Sequence, residues 1–326
     1  MKLTKKRLMA ITFFLVAGYF TLLLFLPENI VGERGDNLLL FLPKILFLAI
    51  TAAVVSDFVL IFLFKRDFII SQWSTFNRFK YLLGLLVKRD FISRYRKSVL
   101  GVIWSILNPL LTMLVMTLVF SYLFRFQIEN FPVYLLSGMI IYGFFNESTT
   151  QAMGSVIGNE GMIKKVYIPK YVFPLSRVLS SLVNLLFSFL AFLLVFIITG
   201  VQFRWTMLLI PIPIIYAFAF SLGIAMLMSS LAVFFRDVTY LYGVFTLLLM
   251  YLTPLFYPVE ILPDFMIPVI GLNPIYHFVD YFRALALRGV VPDLWSNMVC
   301  IGFVLAALCS GTYVFMKQQD RYILYL

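Results

Sequence analysis

Asn159-Glu160-Gly161-Met162-Ile163-Lys164-Lys165-Val166-Tyr167-Ile168-Pro169-Lys170 is a compact basic run between two hydrophobic stretches, Pro132 to Gly158 and Val172 to Gly200. A membrane-spanning helix needs about 20 mostly apolar residues, because backbone amides in hydrocarbon must be satisfied within the segment. Both flanks meet that length, so the run reads as a loop at a membrane face. Working outward, six further segments fit the same template: Met9 to Leu26, Leu38 to Phe64, Gly101 to Phe124, Thr206 to Phe235, Val238 to Tyr257 and Leu294 to Met316. The composition agrees, being 62% hydrophobic and 13% charged, with a mean hydropathy of +0.98. A soluble domain could not cover its surface with so few polar groups. The fold class expected is an all-α polytopic membrane protein.

Charge sets the expected orientation. Lys2, Lys5, Lys6 and Arg7 precede the first span, and Arg66, Arg78, Lys80, Lys88, Arg89, Arg94, Arg96, Lys97, Lys164, Lys165, Lys170, Arg236 and Arg321 all fall on the same side. The positive-inside rule places that side, with both termini, in the cytoplasm. The opposite loops hold only scattered Arg34, Arg125, Arg204, Arg283 and Arg288. This clustering assigns the net charge of +11 to topology and anionic membrane lipids, not nucleic acid. Met1 to Leu26 is read as an uncleaved anchor, since its apolar core exceeds a typical signal peptide and no small-x-small cleavage site follows. Cys300 and Cys309 share the last span without metal-ligand spacing, so neither a zinc site nor a disulfide framework is expected.

Three parts emerge. Residues 1–66 form a transmembrane hairpin. Residues 67–100 carry Phe79, Leu82, Leu83 and Leu86 at helical spacing amid Arg78, Lys80, Lys88 and Arg89, which suits an amphipathic helix in the cytoplasmic headgroup layer. Residues 101–326 hold six spans and an apolar, proline-broken segment between Tyr257 and Leu294. That segment is too apolar for a solvated loop and too short for two spans, so two half-inserted helices at the outer face are expected, buried against protein. Asn273-Pro274 should start the second, with Asn at the N-cap and Pro at the first helical position.

Lys88-Arg89-Asp90-Phe91-Ile92-Ser93-Arg94-Tyr95-Arg96-Lys97-Ser98-Val99-Leu100-Gly101-Val102-Ile103-Trp104 leads directly into a span with Asn108-Pro109 near its start. Together with the Asn159 to Ser176 loop, which contains Pro169 and Pro174, and the Pro254 to Arg283 segment, it resembles the permease subunit of bacterial ABC-2 exporters for surface polysaccharides, O-antigen, capsule and teichoic acids. The resemblance covers about Leu82 to Leu326. It implies a six-helix exporter core and a homodimer joined to two copies of a separate ABC ATPase subunit. The cargo would be a lipid-linked glycan or polyol-phosphate polymer, crossing the bacterial plasma (inner) membrane from the cytoplasm. The N-terminal hairpin is extra to the usual pattern.

The resemblance also assigns candidate residues. The Asn159 to Phe173 loop matches the coupling element, which makes Glu160, Lys164, Lys165, Tyr167 and Lys170 candidates for contact with the ATPase; the lysines serve topology at the same time. At about 100° per residue, Trp104, Asn108, Val115 and Tyr122 share one face of their span while Phe120 and Phe124 point away, and Tyr240 and Tyr251 share a face of theirs. The family's conduit follows equivalent helices, so Trp104, Asn108, Tyr122, Tyr240 and Tyr251 are candidates for the substrate path, where aromatic faces would stack on sugar rings. The same aromatics also fit the general enrichment of Trp and Tyr at membrane interfaces.

No Gly-x-x-x-x-Gly-Lys-Ser/Thr phosphate loop occurs. The chain is therefore expected to bind no cofactor itself, with ATP and Mg on the partner, and no catalytic or metal residue is assigned. Glu147 is expected near the middle of its span, where an ionisable group needs a partner. Gly143, Gln151 and Gly154 lie on its side of the wheel, which favours helix packing over substrate contact. His277, the single histidine, is expected to pack at the outer interface. An exporter of drugs or small lipids would share six spans without the glycan-type motifs. A membrane glycosyltransferase acting on polyprenyl-linked sugars would need an acidic motif such as Asp-x-Asp, which is not present.

Overall fold

A computed structural model describes residues 66–96, 98–123 and 128–325, with the side chains of 66–76, 122 and 123 outside the description. The N-terminal hairpin, Lys97, Phe124 and the Tyr122 side chain therefore lie outside the described residues. Every regular element among the described residues is helical.

Helix α1 (Arg66–Tyr95) is the expected amphipathic segment. Its Leu83 and Leu86 are buried, and Phe79 and Leu82 pack beside them, against Val156, Ile163, Ile168, Phe173 and Phe315. This apolar stripe holds the helix to the protein, while Lys80, Lys88 and Arg89 on its other faces stay exposed. After Tyr95 the chain breaks, and Gly101, at φ +51°, turns it through a left-handed conformation that costs glycine little. Ser98 Oγ accepts from the Gly101 amide at 3.1 Å.

Helix α2 (Trp104–Thr117) follows, containing Pro109 and passing into a π-helical stretch at Leu118–Leu123. The expected span is therefore not one α-helix through Phe124. The wider π turn shifts the angular register beyond Thr117, so a wheel drawn at 100° holds only up to that point. None of the α2 residues is buried within the single chain.

Helix α3 (Phe131–Met153) is the central post. It packs against α5 (Val172–Ile198), α6 (Pro211–Phe234) and α9 (Pro274–Arg283). Its buried residues include Leu135, Leu136, Ile141, Phe144 and Phe145. Among the described residues, four helices are long and apolar enough to cross a membrane: Gly101–Ser121, Val172–Ile198, Trp205–Phe234 and Leu294–Tyr325. Helix α3 is not one of the four, because Ser137, Asn146, Glu147, Ser148 and Thr149 make it polar; Ser137, Ser148 and Thr149 donate to carbonyls of their own helix, and Glu147 finds partners outside it. It also ends at Met153, short of the expected Gly158.

Between α3 and α5 lies the short helix α4 (Glu160–Ile163). Helix α6 packs most extensively on α10 (Leu294–Gln318). Gly223 faces Ala307, and Gly311 faces Gly223, so closely that a Cβ on either glycine would strike backbone. This is the small-residue contact that lets two membrane helices approach.

Helix α7 (Val238–Leu252) ends five residues before the expected Tyr257. Its 15 residues span about 22 Å at 1.5 Å each, short of the roughly 30 Å hydrocarbon core. Thr253, Pro254, Leu255 and Phe256 turn inward and are buried. Two short 3₁₀ turns and α8 (Ile267–Gly271) follow, before α9. The first expected half-helix is thus a five-residue turn with most of its surface exposed, because Pro263 and Pro268 break the segment into pieces too short to propagate. The second is the buried α9. Its start agrees with the sequence: Asn273 Oδ1 accepts from the Ile275 amide at 3.0 Å, with Pro274 at the first helical position. A one-turn helix α11 (Tyr322–Tyr325) closes the described chain.

Candidate functional site

The loop between α3 and α5 stands at the α1 end of the bundle. Ile163 and Ile168 are buried and anchor it. Between them Lys164, Lys165, Val166 and Tyr167 protrude, with Tyr167 95% exposed. Lys164 Nζ pairs with Glu160 one helical turn earlier at 2.5 Å, and both side chains remain about half exposed. Their charges are available from outside.

Lys170 is different. Its Nζ donates to the Gln319 carbonyl at 2.5 Å and lies 5.9 Å from the Tyr322 ring centre. Tyr322 is fully buried between Phe234 and Phe315. This lysine ties the loop to the C-terminal helices and is only partly exposed, unlike Lys164 and Lys165. Sequence spacing placed it on the same loop as Lys164 and Lys165 but could not show which side faced the fold.

The loop is joined to α1. Arg89 donates from both Nη1 and Nη2 to Asn159 Oδ1 at 3.5 Å, and Asn159 Nδ2 in turn donates to the Ser155 carbonyl at 2.7 Å. One residue on, Asp90 forms an ion pair with Arg177 of α5 at 3.0 Å. Arg94 pairs with Glu147 of α3 at 2.7 Å. Glu147 Oε1 also accepts from Asn184 of α5 at 2.6 Å and from Gln151 at 2.9 Å. Three charged residues of α1, Arg89, Asp90 and Arg94, therefore grip the loop, α5 and α3.

Glu147 lies six residues from the α3 end at Met153, about 9 Å, and not near mid-span as expected. The earlier helix end explains the difference. The required partner is Arg94, which sequence grouped with topogenic charges because it lies 53 positions away. Gln151, expected on the same face, is indeed on Glu147; Gly143 is exposed beside it.

The aromatic candidates are arranged otherwise. Trp104 is 42% exposed and Asn108 is exposed on the same side of α2; Tyr240 and Tyr251 of α7 are 79% and 60% exposed. Helix α2 packs on α5 and α3, whereas α7 packs on α3 and α6. The two tyrosines and the tryptophan thus lie on open faces of helices flanking α3, not in one pocket of a single chain. Phe120 points the other way and stacks on Phe256, with ring centres 5.4 Å apart. Among the described residues no group of three or more His, Cys, Asp or Glu side chains is placed to hold a metal ion.

At the opposite end of α3 the structure reveals a residue that sequence passed over. Arg283, counted only as a scattered outer charge, is buried in the turn after α7. Its guanidinium donates to the carbonyls of Pro254 at 2.8 Å, Tyr134 at 3.1 Å and Leu255 at 3.3 Å, and to Ser137 Oγ at 3.2 Å. Its central carbon sits 3.4 Å from the Tyr134 ring centre. Gly138 leaves room for it, since a Cβ there would lie 2.9 Å from Nη2. The carbonyls freed where α7 stops are those a planar five-donor group can satisfy. The available signal was an arginine within an otherwise apolar, proline-broken segment. His277 packs beside Tyr276 and Phe303, with Nε2 against the Gly271 carbonyl at 2.7 Å.

Residues 81–287 match the family model of the ABC-2 type transporter. An O-antigen export system permease protein, RfbA, of Klebsiella pneumoniae is 32% identical over 250 residues, 74% of this chain and 95% of the relative. The polysialic acid transport protein KpsM of Escherichia coli is 21% identical over 76% of this chain and 97% of its own length. The capsule polysaccharide export inner-membrane protein CtrC of Neisseria meningitidis serogroup B is 22% identical over 66% of this chain and 82% of its own.

Proposed function

The chain belongs to the ABC-2 type transporter family, and on that premise we propose that it is the permease subunit of an ATP-driven exporter carrying a lipid-linked polysaccharide from the cytoplasmic side across the bacterial inner membrane. The relatives named for O-antigen, polysialic acid and capsule polysaccharide support a glycan cargo. The chain works as a homodimer with two separate ATPase subunits, its loop at 159–170 and both termini in the cytoplasm.

The observation that carries this reading is the continuous line of polar contacts from the protruding loop through α1 to the core helices. ATP and Mg bind the partner. The partner's motion enters at Lys164, Lys165 and Tyr167 and moves the loop, which carries Asn159. Arg89 takes that displacement into α1, and the Asp90–Arg177 and Arg94–Glu147 pairs pass it to α5 and α3. A helix of 30 residues is stiff enough to act as the lever. The exposed faces bearing Trp104, Asn108, Tyr240 and Tyr251, with Tyr122 on the same strip of sequence, meet their counterparts in the second protomer and line the path between them. A track of aromatic faces tolerates varied sugars, because stacking needs no fixed hydroxyl pattern.

Co-expression with a candidate ABC ATPase subunit from the same genome tests the reading. Equal amounts of both subunits should co-elute in detergent, and removal of this chain should abolish a surface glycan that the cloned gene restores. A chain that captures no ATPase, or whose loss leaves surface glycans unchanged, would refute it.

A further inference from the structure

An open groove of about 520 Å³ runs between α1 and α5, bounded on one side by Leu83, Gly84, Val87 and Phe91 and on the other by α5 leucines including Leu182 and Leu186. Its volume is in the range of sites that take small molecules, about 300–1,000 Å³. Its walls are almost wholly apolar, and Phe91 stacks on Phe187 at 6.0 Å to close one end. Lys80 and Lys88 stand on its rim. They lie eight residues apart, about 12 Å along α1 and on the same face.

The cations of α1 divide into two sets. Arg89 and Arg94 are spent on Asn159 and Glu147. Neither Lys80 nor Lys88 has a hydrogen-bond or ion-pair partner among the described residues, and both are exposed. Two unpaired ammonium groups above an apolar slot, on a helix that lies at a membrane surface, match the two halves of one molecule. The slot excludes water and accepts an acyl chain; the lysines accept a phosphate. Gly84, midway between them, faces open space in the slot, since a Cβ there would meet nothing within 4 Å.

We propose that this groove is a binding site for one anionic phospholipid of the cytoplasmic leaflet, its acyl chain between α1 and α5 and its phosphate between Lys80 and Lys88. The lipid fills the gap between the lever helix and α5 next to the Asp90–Arg177 pair. Helix α1 is then held to α5 by protein and lipid together. The inference goes beyond the transport reading and rests only on α1 lying at the membrane surface.

Native mass spectrometry of the full chain in detergent, with phosphatidylglycerol or phosphatidylcholine added, tests it without ATPase or cargo, so its outcome is independent of whether the export reading stands. The wild-type protein should retain phosphatidylglycerol in preference. The double variant Lys80→Gln/Lys88→Gln should lose that preference by about thirtyfold, equivalent to about 2 kcal/mol from two lysines at a charged surface. Gly84→Leu places a side chain in the slot from a Cβ that meets nothing within 4 Å and favours the helix, so it should stay folded and retain less of either lipid. Arg78→Gln, a cation of α1 that does not line the groove, should leave the preference intact. Equal retention of the two lipids by the wild type, an unchanged preference in the double lysine variant, or full retention in a folded Gly84→Leu protein would overturn the site. Displacement of phosphatidylglycerol by a polyprenyl phosphate at equal concentration would assign the groove to the cargo's carrier and overturn the phospholipid.

Discussion

Replacing Glu147 tests whether its carboxylate organises the packing of α1, α3 and α5 or serves the cargo. Side-chain exposures of 29% for Glu147 and 36% for Arg94 put their 2.7 Å pair close to the surface limit, about 0.2–1 kcal/mol. The 2.6 Å bond from Asn184 joins two membrane helices, for which about 0.6–1.7 kcal/mol is measured. The bond from Gln151, one turn along the same helix, adds about 0.2–0.5 kcal/mol. Glu147→Leu removes all three and should cost about 2 kcal/mol. Glu147→Gln keeps an acceptor for Asn184 and loses chiefly the charge, so it should cost about 0.5 kcal/mol. Chemical denaturation in micelles measures both, and a double-mutant cycle with Arg94→Gln should return a coupling of about 0.5–1 kcal/mol. Export should largely survive Glu147→Gln, whereas Glu147→Leu should lower the yield of folded dimer. Additivity of Arg94→Gln and Glu147→Gln would show that the pair does not form. Normal assembly of both Glu147 variants with export lost in Glu147→Gln would assign the charge to transport and refute the packing argument.

Charge reversal at Lys164 and Lys165 should uncouple ATP hydrolysis from export while leaving insertion intact, whereas Lys170→Gln should instead loosen the C-terminal helices, seen as faster proteolysis there; equal effects of the two on coupling would contradict the role of Lys170 as a tie to those helices. Trp104→Ala should impair export without loss of assembly and Trp104→Phe should partly restore it, measured as surface glycan. Phe120→Ala should act on stability, by about 1–3 kcal/mol, because it removes a stacked core contact. Arg283→Met removes a donor from three carbonyls, of which Pro254 and Tyr134 keep a hydroxyl donor and Leu255 does not, and should cost about 1–3 kcal/mol; Arg283→Lys should recover only part, since one ammonium cannot span the same fork of acceptors. Cysteine labelling at Asp264 should succeed from outside intact cells and at Lys165 only after permeabilisation; exposure of Lys165→Cys in intact cells would invert the topology.

Hydrophobic length and the bias of Lys and Arg are summed over whole segments, so a single sequence suffices to read them. That is why the spans at Val172–Ile198 and Trp205–Phe234, the amphipathic stripe Phe79, Leu82, Leu83 and Leu86, and the Asn273 cap were legible in advance. Motif order likewise carried the family. Where a helix stops, and what a charge touches, depend on neighbours far away in the chain. Helix α7 ends at Leu252 because Thr253 to Phe256 have a buried place to go, and Arg283, 28 positions beyond Leu255, supplies the donors that make the turn affordable. Arg89 and Arg94 read as topogenic charges until folding brings Asn159 and Glu147 against them. Lys170 is set apart from Lys164, which pairs locally with Glu160, by contact with Gln319 and Tyr322 about 150 positions later. Residue type and spacing determined that this chain is a helical membrane protein and marked four of the stretches long and apolar enough to cross. Only tertiary structure decided which of its charges are structural ties and which stay open to lipid or partner, because in low dielectric an ion's role follows from what lies within a few ångströms of it.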